Sequence, residues 1–572
     1  MSQVPRRVHP SQSTGWDVAA HETHVGAAIG PHLGSYAAKQ CPVRLQWDIV
    51  RPVEPLPTSA AVARRQGDGN DFEAEVVADL AAHFGLELGA PPEDRGEWEA
   101  QTVAAMHAGT PVIVGGRLPR DDDGRRVGEP DLLVRVGGEV DGVARYRPVD
   151  VKGHLVVDTA GKGFPAVARD LGDPDLGVTP PAPSDADPSF RRKRVDDLIQ
   201  LAHYHRMLEA CGHAAEGPAW GGIIGTEGHV LWAPLGHAMT GRRGSQRSIL
   251  DIYDDEFAFR LRVAARATDP DRRGDLIVVP LQRTECAECH WRDHCSDRME
   301  EADDVSLVPG VSVDHALDLR RRGVRTRLDL ARLDPADLDG APKALPTWVA
   351  QARAHHGPAA AYLAPGVERL HVPRADVEID LDIEHTDTGV YLWGVLVDDR
   401  TGTAGIDVGY QPFLTWDPDL ATAEVAVFRQ FWSWLHDTLG HVASAGLSAT
   451  VQVWSQATEA RQLRRLGTVI GVQPDTDGLV ASDVWVDLYD VVRKQLVTGG
   501  GLGLKEVAPL AGHVWRDGDA GGYASLEWHA QAVAGDRDAR ERLLVYNEDD
   551  VRATARVRDW LAGLDATAAP RP

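Results

Sequence analysis

The chain has 572 residues, 43% of them hydrophobic, so it can bury several cores; at about 150 residues per domain it divides into roughly three or four. Acidic residues outnumber basic ones 86 to 60, for a formal net charge of −26, which argues against a protein that merely coats nucleic acid and leaves room for an enzyme whose carboxylates hold divalent cations. Five cysteines exclude a disulfide-stapled secreted scaffold.

The opening MSQVPRRVHPSQSTGWDVAAHETH has no apolar stretch behind its arginines, and no run approaches the about 18 apolar residues of a membrane span. The expectation is a soluble cytoplasmic protein with no membrane partner. No fixed-period repeat is present, and no G-x-x-x-x-G-K-[ST], so any helicase activity would come from a partner.

After a tail over 1–37, residues 38–300 alternate helical and strand-like stretches, interrupted by a Pro/Asp-rich loop from Gly172 to Ser189. The helical period over Asp71 to Phe84 puts Glu73 on the core-facing side with Val77, Leu80, Ala81 and Phe84. Gly128-Glu129-Pro130-Asp131 leads into an apolar strand from Leu132 to Val136. In RYRPVDVKGH, strand alternation places Tyr146, Pro148, Asp150, Lys152 and His154 on one face. Downstream, Gln200 and Tyr204 share a helical face.

A lone D-x-K is an ordinary charged strand face. Carboxylates beside a lysine also suit metal-assisted phosphodiester hydrolysis: Asp131 and Asp150 would hold Mg²⁺ or Mn²⁺, and Lys152 would position water or stabilise the pentacovalent state. The whole series of helix-Glu, G-x-P-D, D-V-K and Q-x-x-x-Y resembles the RecB-like branch of the PD-(D/E)xK nucleases. The resemblance implies a restriction-endonuclease-like α/β core in which Asp131, Asp150 and Lys152 are catalytic and Gln200 and Tyr204 lie beside them. Glu73 stands near where many relatives carry a metal-binding His, which makes it a candidate metal ligand.

Cys41 precedes this region, and Cys286, Cys289 and Cys295 follow it in TECAECHWRDHC. Thiols spaced C-x2-C-x5-C in a reducing compartment point to a metal or cluster that would clip the two ends of the domain together. Zinc competes, because His290 and His294 are interleaved with the cysteines. One cysteine before the nuclease core and three after it resembles the iron–sulfur nucleases, AddB-type and CRISPR-associated four-cysteine exonucleases, which implies a [4Fe–4S] cluster. Cys211 has no partner at suitable spacing and reads as a core thiol.

Residues 301–345 resemble a helix-hairpin-helix module, with Val308-Pro309-Gly310-Val311 as the hairpin and Gly323 ending the next helix. Arg320, Arg321, Arg322, Arg325 and Arg327 would add attraction to phosphate. Other basic runs, Arg191 to Arg194 and Arg242, Arg243 and Arg247, are candidates to line a nucleic-acid channel. Residues 346–369, around AHHGPAAAYLAP, read as a linker.

From 370 to 565 strands and helices alternate again. In DVEIDLDIEHT, Val377, Ile379, Leu381 and Ile383 face one way and Glu378, Asp380, Asp382 and Glu384 the other. Such a row of carboxylates repels itself unless cations sit between them. Asp382 and Glu384 resemble the D-x-E motif of the DnaQ-like exonucleases, a branch of the RNase H fold, and Tyr546 and Asp550 resemble that family's Y-x-x-x-D. By that resemblance Asp382, Glu384 and Asp550 bind metal and Tyr546 orients water. Glu459 stands where the family has Asp, with Asp487 as an alternative ligand or helix-start residue. The stretch most resembles the YprB-type RNase H-like domain found joined to RecB-like nucleases.

Together these readings give an α/β multidomain chain that hydrolyses DNA phosphodiesters with Mg²⁺ or Mn²⁺, exonucleolytically on single-stranded ends, in repair, recombination or defence. DNA over RNA rests on family analogy. Two alternatives stay open: a catalytically degenerate nucleic-acid-binding scaffold for a helicase partner, or an RNase or 3′–5′ exonuclease working through the C-terminal domain alone.

Overall fold

The computed structural model describes residues 31–58, 60–86, 89–158, 163–171, 173, 183, 187–240, 246–359, 361–386, 388–517 and 524–564. Most of the Gly172–Ser189 loop, and Arg242 and Arg243, lie outside the described residues. The chain divides into two compact units, Met1–Met299 and Glu300–Pro572.

In the first unit, helices α1 (Pro42–Val50), α2 (Ala60–Phe84) and α3 (Arg95–His107) precede the sheet. Cys41 stands at the N-cap of α1, and Pro42 occupies the first helical turn, where its missing N–H costs nothing. Strands β1 (Val112–Val114), β2 (Leu132–Val140) and β3 (Val143–Val151) form an antiparallel meander. The β2–β3 turn is Asp141-Gly142, with φ of 53° and 75°, the primed geometry that matches strand twist.

The chain then forms β4 (Val167–Asp170), crosses through α4 (Val195–Ala210), and returns as β5 (Trp220–Ile224), parallel to β3, and β6 (His229–Pro234). The sheet order is β1-β2-β3-β5-β6-β4. Gly221 lets α4 close on the sheet, since a Cβ there would lie 2.7 Å from Leu201 Cδ1. Helix α5 (Ile249–Thr268), opened by a Ser248–Asp251 capping box, packs on α1 and α4, and α6 (Arg292–Glu301) carries Cys295, the last cysteine. Residues 31–37, expected in the tail, belong to this unit: Leu33 and Ser35 are buried, and Leu33 bridges Arg126.

The second unit opens with α7 (Val313–Arg321), α8 (Arg327–Arg332) and α9 (Leu345–His356). Gly310 and Gly323 sit at φ of 82° and 90°, where a side chain would be strained. The arginines expected to attract phosphate are largely committed: Arg320 pairs with Asp304 at 2.6 Å, Arg321 and Arg322 with Asp318, and Arg327 with Asp303 and Glu300. Carboxylates one helical turn or one loop away satisfy them first.

The stretch expected to be a linker carries α9 and strand β7 (Ala361–Leu363). Trp348, Val349 and Ala352 of α9 are buried, and β7 pairs with β13 (Leu496–Thr498). Apolar contacts across the fold therefore order a segment whose Gly, Pro and Ala composition reads as loose.

The main sheet has β8 (Val377–His385), β9 (Val390–Asp399), β10 (Gly409–Leu414), β11 (Ala449–Val453) and β12 (Trp485–Asp487), in the order β10-β9-β8-β11-β12. The first three are antiparallel, and β11 and β12 run parallel to β8. Helix α10 (Leu420–Ser444) covers the odd-numbered face of β8, with Phe431 stacked on Trp393 at 4.5 Å. Helices α11 (Gln456–Ile470), α12 (Gln473–Val480), α13 (Leu488–Gln495), α14 (Leu504–Val507) and α15 (Ala524–Val533) lead to α16 (Arg537–Gly563), which lies across β8 and β9.

Candidate functional site

Strand β8 buries both faces, so its acidic side chains must be neutralised or left as a cation site. The structure does one at each end. Glu378 accepts from Arg374 at 2.6 and 2.8 Å and pairs with Arg558 at 3.1 Å; Asp380 pairs with Arg558 at 2.6 Å. All three of Glu378, Asp380 and Arg558 are at most 1% exposed. Among the described residues no arginine or lysine closes an ion pair on Asp382 or Glu384. Instead, ligand atoms of Asp382, Glu384 and Asp550 lie within 4.8 Å of one another.

The electrostatics follow from that crowding. Burial, then the charges of Glu384, Asp550 and Glu459, push Asp382 well above the usual carboxylate range. Burial and Asp550 push Glu384 up to about 8. Tyr546, one turn before Asp550 on α16, is 6% exposed, and burial and the three carboxylates raise its phenol further. A divalent cation held there would keep all three carboxylates ionised.

Glu459, in the first turn of α11, is close enough for its charge to act on Asp382; burial and Asp487 push it up to about 7. Its Oε2 is buried without a hydrogen-bond partner. Asp487 takes the helix-start role, accepting from the Asp490 N–H at 3.0 Å at the N-cap of α13.

Other residues at this centre carry no motif. The Asn547 amide donates to Asp382 Oδ2 at 2.8 Å and accepts from the Tyr410 hydroxyl at 2.8 Å. Gly394, opposite Asp382 on β9, makes room for it, since a Cβ there would lie 1.6 Å from Asn547 Oδ1. The Trp515 indole donates to Asp550 Oδ1 at 2.7 Å, and Lys505 Nζ sits 5.0 Å from the Tyr546 ring centroid. The adjacency of Asn547 to Tyr546 was the one sequence signal for any of these.

In the first unit, β3 carries Asp150, fully buried, and Lys152 just beyond the strand end, and the two form an ion pair. Asp131, at the start of β2, accepts from the Val151 N–H at 2.7 Å, and burial and the Asp150 charge push it up to about 9. Burial opposes ionisation of Lys152, but Asp150 and Asp131 hold its pKa above the usual lysine value. Helix α2 passes close by: a Cβ on Gly153 would meet Gly69 Cα at 3.5 Å and Phe72 Cβ at 4.0 Å. Glu73 is raised by burial and by Asp150. So Glu73, Asp131, Asp150 and Lys152 share one electrostatic neighbourhood.

Gln200 and Tyr204 reach the same place from α4. The Tyr204 hydroxyl donates to the Glu129 carbonyl at 3.0 Å and lies 3.2 Å from Gln200 Nε2 and 3.0 Å from Ser35 Oγ. Lys39 donates to Gln200 Oε1 at 2.8 Å, and His154 pairs with Asp197 at 3.1 Å. His154 shares the face that strand alternation gives Asp150 and Lys152; Ser35, Tyr36, Lys39 and Asp197 carry no motif, since no spacing links them to the acidic residues.

Cys41, Cys286, Cys289 and Cys295 are near enough for their charges to act on one another, but no three of their sulfurs lie within 4.8 Å of one another. The charges of Cys41 and Cys289 act on Cys286, and burial pushes Cys295 up to about 12, with Cys41, Cys289 and Cys286 adding to the shift. All four are partly buried and none is in a disulfide. His290 is engaged elsewhere, 2.7 Å from Asp48 of α1, which also accepts from the Trp291 indole at 2.8 Å; His294 packs edge-on against Trp47. Cys211 is a partly buried thiol bonded to the Leu208 carbonyl of its own helix.

Residues 379–562 match the family model of the RNase H superfamily, the span from β8 to α16. The C-terminal part of the chain is therefore an RNase H-like domain. Such a domain implies nucleic-acid binding and a nuclease-type activity that uses Mg²⁺ or Mn²⁺, and the Asp382–Glu384–Asp550 group is an acidic set able to hold such an ion. No curated protein and no solved structure matches the chain. Among the described residues no helix is long and apolar enough to cross a membrane.

Proposed function

We propose that the chain is a divalent-metal-dependent DNA nuclease with two candidate centres, acting exonucleolytically on single-stranded ends in repair, recombination or defence. The observation that carries this reading is the contrast along β8: Glu378 is paired with Arg374 and Arg558 and Asp380 with Arg558, while Asp382 and Glu384 meet Asp550 with no cation among the described residues paired to them. A metal held there would activate water and take up charge developing on the phosphate. Tyr546 would orient that water, Asn547 would hold the Asp382 carboxylate in place, and Glu459 would complete the ligand set.

The first unit is read as the second centre, of RecB-like PD-(D/E)xK type. Support comes from the antiparallel meander followed by a helix and a parallel strand, with Asp131, Asp150 and Lys152 gathered at its edge. Asp131 and Asp150, with Glu73, would hold the ion, and the Lys152 ammonium would stabilise the phosphorane. Cys41, Cys286, Cys289 and Cys295 would hold a [4Fe–4S] cluster. The engagement of His290 with Asp48 supports an all-cysteine set over a zinc site that uses histidine. A brown anaerobic preparation absorbing broadly near ~400 nm is expected; a colourless one with stoichiometric zinc would overturn the cluster.

Glu459 in place of Asp favours a second reading, a nucleic-acid-binding scaffold for a helicase partner. Anaerobically purified protein, end-labelled single- and double-stranded DNA, and Mn²⁺ or Mg²⁺ decide among them. Cleavage lost in Lys152→Ala assigns the chemistry to the first unit. Cleavage that survives Lys152→Ala and disappears in Asp382→Ala assigns it to the RNase H-like domain. No cleavage by wild type leaves the scaffold.

A further inference from the structure

The turn that runs into Cys41 brings two side chains within electrostatic reach of the Asp131–Asp150–Lys152 group. Tyr36 is 58% exposed, and among the described residues no aromatic ring stacks on it; burial raises its phenol, and the charges of Lys152, Asp150 and Asp131 act on it. Three residues on, Lys39 Nζ lies 4.2 Å from the centroid of that ring and donates to the neutral Gln200 amide. Among the described residues no carboxylate closes an ion pair on Lys39. Burial and then the Lys152 ammonium disfavour its charge, while Asp197, Asp150 and Asp196 favour it. Lys39 and Lys152 are near enough for their charges to act on one another, and Lys39 is held by a neutral amide, so together they are cationic donors suited to a phosphate.

The turn is built to hold that position. Ser35 is bonded to Tyr204 at 3.0 Å and Lys39 to Gln200 at 2.8 Å, so both anchors lie on α4, one helical turn apart. Ser35 and Tyr36 of the turn, with Gly128, Glu129 and Tyr204, wall a cavity of about 380 Å³, within the size range of small-ligand pockets; Lys39 lies outside its lining.

We propose that Tyr36 and Lys39 clamp one unpaired nucleotide of a single-stranded nucleic acid: the base stacks on the Tyr36 ring, and Lys39 takes the phosphate next to the one presented to Lys152. This rests on reading the first unit as a nuclease centre. A ring that must stack on a base face selects single strands, because the base faces in a duplex are already covered. Gln200 and Tyr204 are then positioning residues that hold the clamp.

The test is binding by the full-length chain, purified anaerobically, in Ca²⁺ so that the strand stays intact. The probes are an end-labelled oligothymidylate and a blunt duplex of equal length. Tyr36→Ala is expected to weaken single-strand binding about ten- to a hundredfold with duplex binding unchanged, and Tyr36→Trp to keep it. Lys39→Gln is expected to lower the salt-dependence slope by about one. Single-strand binding unchanged in Tyr36→Ala, or lost equally on both probes, overturns the clamp, as does a wild type that binds neither. Loss of single-strand binding in Tyr36→Ala from a wild type that cleaves nothing in Mn²⁺ keeps the clamp and removes the nuclease reading. Lys152-dependent cleavage by a Tyr36→Ala protein that binds like wild type does the reverse.

Discussion

The Asp382 carboxylate is held in place because Asn547 donates to one of its oxygens, and Asn547 fits because residue 394 has no side chain. Gly394→Ala would drive the amide away, since no rotamer absorbs a 1.6 Å approach, and Asp382 would lose its donor. The expected result is Mn²⁺ affinity at the RNase H-like domain lower by about 10–100-fold, read by titration calorimetry. Protonation gives a second expectation. In the metal-free chain Asp131, pushed up to about 9, and Glu384, pushed up to about 8, keep protons that the unfolded chain releases near pH ~4. Their raised values mean stability from this source is full below pH ~4 and is lost as pH rises through 8 and 9. Mn²⁺ replaces those protons, so the Tm gain on adding it should be larger at high pH than in mild acid; the opposite order would contradict the assignment. The motif residues were legible because D-x-E, D-V-K and Y-x-x-x-D are local patterns. Asn547, Gly394, Trp515, Tyr36 and Lys39 were not, because each acts through a partner distant in sequence.

Helix α16 is fastened to β8 by charge at one end and by its metal-site residues at the other. Arg558→Ala would leave Glu378 and Asp380 buried without their shared cation, a loss of about 3–5 kcal/mol that a denaturant titration would show. Replacing all three with apolar residues of similar volume should recover most of that loss, because the isolated charge, more than the missing pair, is what destabilises. The alternation that put Val377, Ile379, Leu381 and Ile383 on one face of β8 could be read directly from the sequence. That the opposite face is also buried, and that an arginine some 178 positions on splits it into two halves, could not. Segment 346–369 shows the same limit. Strand β7 has three residues, too few for a period, and exists through pairing with β13.

Each unit of the molecule carries its own candidate centre, so the two should fail independently. If the proposed cluster is bound, removing it by oxidation and chelation is expected to lower one of two calorimetric transitions and leave the other in place, the cysteines all lying before residue 300. The fall should be limited, since Asp48 still holds His290 and Trp291 to α1 without any metal. Loss of both transitions together would contradict separate units. The divided charge on β8 also has an evolutionary consequence. Its arginine-neutralised half supports the fold, while its other half is a repulsion that only function retains. Asp382→Asn or Glu384→Gln would relieve that repulsion, so each substitution that abolishes metal binding should make the metal-free domain more stable. Selection for stability alone would therefore carry such a chain away from catalysis and toward a protein that only binds, with nothing in the fold to resist the drift.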